Sequence, residues 1–90
     1  MTPTEYANKL IRLASTIERL GVVPISAGVE ATGDTFALLR KRDFMAIRLD
    51  ARYEDVGRVR HYLSVVDGVG FMANESFKSD GMQPMKAGAK

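Results

Sequence analysis

Cysteine and tryptophan are absent from these 90 residues, histidine occurs once and proline three times. Without cysteine there is no disulfide framework and no thiolate metal site, a composition that suits a reducing compartment. No stretch approaches the roughly 20 consecutive apolar residues a membrane helix requires, and the first residues lack the apolar core of a signal peptide. The expectation is a cytoplasmic, soluble chain with no membrane contact.

One histidine also narrows the chemistry. His61 has no second imidazole, no thiol and no obvious base or orienting group near it in sequence, so neither a metal centre nor an acid–base pair is indicated. The serines lie outside any G-x-S-x-G nucleophile elbow. Asp50, Glu54 and Asp55 cluster without the spacing of a calcium loop. Gly68-Val69-Gly70 lacks the third glycine and the Lys-Ser/Thr of a phosphate loop. The sequence is that of a non-enzyme, with no catalytic residue, no metal and no cofactor expected.

What is present is an ordinary globular composition, 46% hydrophobic and 27% charged. The pI of about 9.2 overstates the charge, because 13 basic residues face 11 acidic ones and the net charge is only +2. Positive charge gathers in the middle: residues 40–60 hold seven basic and four acidic side chains, against three and four in 1–39.

Thr2-Pro3-Thr4-Glu5 is a helix-start signal, with Thr2 as cap, Pro3 in the first turn and Glu5 completing a capping box. Tyr6, Leu10, Leu13, Ile17 and Leu20 then recur at steps of four and three, within a stripe of about 80° at 100° per residue. Gly21 supplies a left-handed stop. From 23 to 32 every odd position is apolar, the period of a strand. Gly33-Asp34 reads as a two-residue turn into a second strand over 35–40, and Lys41-Arg42 as a turn into a third over 43–49. Both turns place Val29, Ala31, Phe36, Leu38, Met45, Ile47 and Leu49 on one buried face. A second helix is expected over 53–66, from Val56, Val59, Leu63 and Val66 at steps of three and four, ending at Asp67-Gly68. Residues 69–77 carry a two-residue period that suits a further strand with Val69, Phe71 and Ala73 inward, interrupted by Gly70 and Asn74.

The expected fold is therefore α+β in two layers: an antiparallel sheet of three to four strands with both helices on one face, in the order α-β-β-β-α with an optional final strand. One domain is expected over 1–78, followed by a disordered tail over 79–90. This order resembles, in outline only, the double-stranded RNA-binding domain. That family's histidine-containing loop and Gly-Lys-Lys entry to its last helix have no counterpart at Asp50-Ala51-Arg52-Tyr53-Glu54-Asp55, so its function is not carried over.

Two surfaces follow from this phasing. Ala37, Leu39, Phe44, Ala46 and Arg48 would form an apolar outer sheet face, a site for another protein or for a second copy in a homodimer. Arg40, Lys41 and Arg42 at a hairpin tip, with Arg52 nearby, would suit phosphates or an acidic protein surface. Compact, cysteine-free chains without a catalytic motif are common among phage and mobile-element inhibitors, anti-CRISPR proteins included, an analogy of size and style. The expected function is a protein-binding regulator or inhibitor acting by surface occlusion; the alternative is a nucleic-acid-binding module.

Overall fold

The computed structural model describes residues 1–76, with the order α1 (Pro3–Leu20), β1 (Ser26–Val29), β2 (Thr35–Leu38), α2 (Lys41–Ala46), β3 (Arg52–Val56), β4 (Val59–Val66) and β5 (Val69–Ser76). The tail expected over 79–90, and the last residue of the strand expected over 69–77, lie outside the described residues. The fold is α+β, with two helices on a five-stranded sheet ordered β1-β2-β5-β4-β3. All neighbouring pairs are antiparallel except β2–β5, which is parallel.

Helix α1 forms as the sequence dictates. The Thr2 hydroxyl accepts from the Glu5 amide at 3.2 Å, and the Glu5 carboxylate accepts from the Thr2 amide at 2.7 Å. That second bond, with the hydroxyl's own, holds the Glu5 carboxyl below its ordinary value. At the far end Gly21 takes a left-handed φ of 72°. Only the C-terminal half of the apolar stripe is covered, however. Leu13 is buried and Ile17 and Leu20 pack against the core, while Tyr6 and Leu10 remain 42% and 38% exposed. The first turns of the helix overhang the sheet.

Two elements exchange type relative to the sequence reading. Residues 41–46, expected as a turn at 41–42 and the start of a third strand over 43–49, are the short helix α2. Lys41, Arg42, Met45 and Ala46 are all good helix formers, and winding carries Phe44 into the core at 1% exposure. Residues 53–66, expected to be a helix, are instead the hairpin β3–β4. Four valines, two tyrosines and Gly57 make this window a poor helix and a good strand pair. Its tight connections agree. Gly57 at φ 61° is the sole positive-φ residue of the Gly57-Arg58 turn, as type II′ requires, and Asp67 and Gly68 at φ 51° and 79° close β4 onto β5 as type I′ does. Asp-Gly between apolar runs is a hairpin signal, and here it makes one.

The β1–β2 connection corrects the phasing. Glu30 to Asp34 forms the loop, closed by Glu30 N–H to the Asp34 carbonyl and Gly33 N–H to the Glu30 carbonyl, each at 2.8 Å. Val29 thus pairs with Thr35 and Ala27 with Ala37, whereas a two-residue turn would have paired Val29 with Leu38. The shift is three residues, an odd number, so it inverts the facing. Ala37 and Leu39 turn inward at 0% and 1% exposure, and Phe36 and Leu38 turn outward.

The core lies between the helices and one sheet face: Leu13 and Val22 from α1 and its exit, Phe44 from α2, Ala37 and Leu39 from β2 and its end, and Val69, Phe71 and Ala73 from β5. Those three β5 residues are inward as the sequence suggests. Two buried hydroxyls are satisfied, Thr16 donating to the Arg12 carbonyl at 2.9 Å and Ser64 to the Asp50 carbonyl at 2.7 Å. Around the exposed end of this layer the Glu75 carboxylate accepts from Lys41 Nζ at 2.8 Å and from the Tyr62 hydroxyl at 2.9 Å, fastening α2 to β4 and β5. The Lys41 bond, then the Tyr62 bond, hold the Glu75 carboxyl below its ordinary value. The same contact raises the Lys41 ammonium. No helix among the described residues is long and apolar enough to cross a membrane.

Candidate functional site

Because side chains alternate along a strand, the pairing registers define the second face of the sheet. Gly28, Phe36, Gly70 and Val65 form one cross-strand row on it; Ser26, Leu38, Met72, Leu63 and Arg52 form the next; Asn74, His61 and Glu54 form a third. Both helices pack on the opposite side, so neither covers these rows. Phe36, Leu38, Leu63 and Met72 are half-buried by their lateral neighbours, and Val65 is 63% exposed. The two glycines shape the surface. A Cβ at Gly28 would meet the Phe36 ring at 3.6 Å and one at Gly70 would meet the Leu63 side chain at 3.7 Å, so these side chains lean over the glycines and flatten the apolar stripe.

The stripe ends in a polar rim. Arg52, Glu54, His61, Leu63, Met72 and Asn74 line a depression of about 460 Å³ with an apolar floor and charged walls. His61 Nδ1 lies 2.7 Å from Asn74 Oδ1; with that oxygen as acceptor, Nδ1 is the donor. The sequence reading gave His61 no orienting partner, since Asn74 is brought to it only by β4–β5 pairing. It is exposed. No hydroxyl is hydrogen-bonded to it among the described residues, and no group of three or more His, Asp or Glu that could hold a metal ion occurs there. The depression brings together an apolar strip, an imidazole, a carboxylate and a guanidinium.

On the inner side of the same edge, Arg60 makes a two-pronged contact with Asp55 at 2.7 and 3.0 Å and lies 4.1 Å over the Tyr53 ring. That contact lowers the Asp55 carboxyl and raises the Arg60 guanidinium. Arg60 thereby stiffens the β3–β4 hairpin from below the open face.

The expected contact surface is corrected by burial. Ala37, Leu39 and Phe44 are core residues and cannot meet a partner, because the odd-numbered register shift and the winding of α2 turn all three inward. Ala46 and Arg48 are exposed, but at the end of α2 and just after it, off the sheet. An apolar outer face does exist, built instead from Phe36, Leu38, Leu63, Val65 and Met72. The first two were read as core, and the next two were assigned to a helix. The expected basic hairpin tip is the start of α2. There Arg40 pairs with Asp43 at 3.3 Å and Lys41 is held by Glu75, leaving Arg42 exposed; Arg52 sits apart on the edge strand β3.

No family model, curated protein or solved structure matches this chain.

Proposed function

We propose that this chain is a non-enzymatic protein-binding domain that acts by occluding a surface of its partner, and that it makes contact through the open face of its sheet. The observation that carries this reading is the pair of adjacent rows holding Phe36 and Val65, and Leu38, Met72 and Leu63, on the side of the sheet away from both helices, ending in the Arg52–Glu54–His61–Asn74 rim. An antiparallel-rich sheet facing water on one side carries polar residues there. An apolar centre with a polar rim is the anatomy of a contact surface. Covering the remaining exposed part of these side chains contributes roughly 1 kcal/mol each, about 5 kcal/mol together, which offsets only part of the cost of association and leaves the polar rim to supply the rest.

Val65 supplies the test, because its exposure makes substitution harmless to the fold. Tagged wild-type and Val65→Glu proteins are used to capture partners from the native host, with identical far-UV circular dichroism as the control. The expected result is a protein recovered by the wild type and lost with Val65→Glu. Recovery of the same proteins by both rejects the open face as the contact. The same comparison with DNA and RNA at low salt addresses the alternative, contact by Arg40, Lys41, Arg42 and Arg52. That reading has less support, since two of the four are already engaged with carboxylates and the others lie on separate elements.

A further inference from the structure

A second surface lies beyond this reading, at the edge of the sheet. Among the described residues strand β3 pairs only with β4, and all five of its residues are exposed. Its outer backbone edge carries neither proline nor bulge, and its register with β4 runs unbroken from Arg52 to Val56. The other edge strand, β1, has four residues and is preceded by Pro24. An uninterrupted edge is a template for another strand. The side chains indicate which one. Arg52 and Glu54 project from the same face, two residues apart, and neither makes a side-chain hydrogen bond or ion pair among the described residues. Asp55, on the other face, is by contrast taken by Arg60.

We infer that two copies of this chain pair antiparallel through β3, about a two-fold axis at Tyr53, so that Arg52 of each copy lies opposite Glu54 of the other. Symmetry makes the register nearly unique. Two-fold antiparallel neighbours are related by an axis normal to the sheet, so opposed residues must share a face and only alternate registers are allowed. An axis at Arg52, at Glu54 or at Asp55 sets each of these residues against its own copy, charge against like charge. An axis at Val56 leaves only the strand's end and the turn in contact. The axis at Tyr53 alone gives two reciprocal opposite-charge pairs, with Tyr53, 61% exposed, meeting Tyr53 of the partner subunit on the inner face. Pairing here joins the two five-stranded sheets into one and brings the two rim depressions to either side of the seam.

Charge exchange tests the inference. Sedimentation of the full chain over a range of concentrations at low salt is expected to show a reversible dimer. Arg52→Glu or Glu54→Arg alone sets like charges opposite one another and is expected to raise the dissociation constant about tenfold or more. The double exchange Arg52→Glu/Glu54→Arg restores it, and an equimolar mixture of the two single variants forms a mixed dimer. Val65→Glu leaves dimerisation unchanged, which separates this edge from the open face. A monomer at every concentration overturns the proposal, and so does a dimer indifferent to the single changes or not recovered by the double exchange.

Discussion

The inverted phase of β2 has a sharp consequence for two adjacent leucines. Leu39 is 1% exposed, within the same core as Phe44 and Phe71, whereas Leu38 lies half-buried on the open face. Truncating a buried leucine to alanine removes its transfer free energy and leaves a cavity, a cost of about 2–5 kcal/mol. A domain of this size has only about 5–13 kcal/mol in total, so Leu39→Ala consumes a large share. At about 4–8 °C per kcal/mol, the melting temperature falls by about 8–40 °C. Leu38→Ala leaves no enclosed cavity and is expected to cost less than about 1 kcal/mol, or a few degrees. Urea and thermal unfolding followed by far-UV circular dichroism, at one protein concentration, measure both. Phe44→Ala serves as a second core probe, with an expected loss of about 3–5 kcal/mol. A Leu38→Ala loss equal to or greater than that of Leu39→Ala refutes the assigned facing, and with it the open face.

Other consequences follow from the caps, turns and ion pairs. Thr2→Ala removes a cap worth about 1 kcal/mol, but the first turns of α1 overhang the sheet. The loss is expected as faster amide exchange over residues 5–10 with little change in global melting temperature. Gly68 sits at φ 79° in the β4–β5 turn, and Asp67 beside it pairs with Arg19 at the end of α1. Gly68→Val is expected to cost about 1–2 kcal/mol from left-handed strain, read as a fall in urea midpoint; an unchanged midpoint contradicts the turn. Asp55 and Glu75 have lowered carboxyl values, so their stabilisation is complete above their unfolded values and disappears as pH falls through the folded ones. The urea midpoint should therefore hold near neutrality and drop below about pH 4, with Glu75→Gln showing a shallower drop. Lys41 is raised, so its contribution is present below its unfolded value and is lost only in strong alkali.

Helix α1 was legible because every signal for it is local: cap, first-turn proline, a stripe at steps of three and four, and a glycine stop within 20 residues. The inward set of β5 was legible for the same reason, through Val69, Phe71 and Ala73. The class of fold, helices on one side of a mostly antiparallel sheet, was legible as well, although the second helix and the third strand stand in exchanged places. The hairpin from Arg52 to Val66 was misread because Val56, Val59, Leu63 and Val66 fit a helical spacing as well as a strand. Only β-branched content and two glycine turns weigh against a helix there, and the Asp67-Gly68 turn was taken for a helix end. The rim of the open face was out of reach, since His61 and Asn74 are thirteen residues apart and meet only by strand pairing.

By itself, then, the sequence determined composition, the absence of cysteine chemistry, the first helix and an apolar surplus greater than one core face can hold. Which apolar residues form the core and which lie on the open face was a tertiary matter. A strand's facing turns on whether its loop holds an odd or even number of residues, and the five-residue span from Glu30 to Asp34 is closed by backbone hydrogen bonds. Ala37 and Leu39 are inside, and Phe36 and Leu38 outside, for that reason.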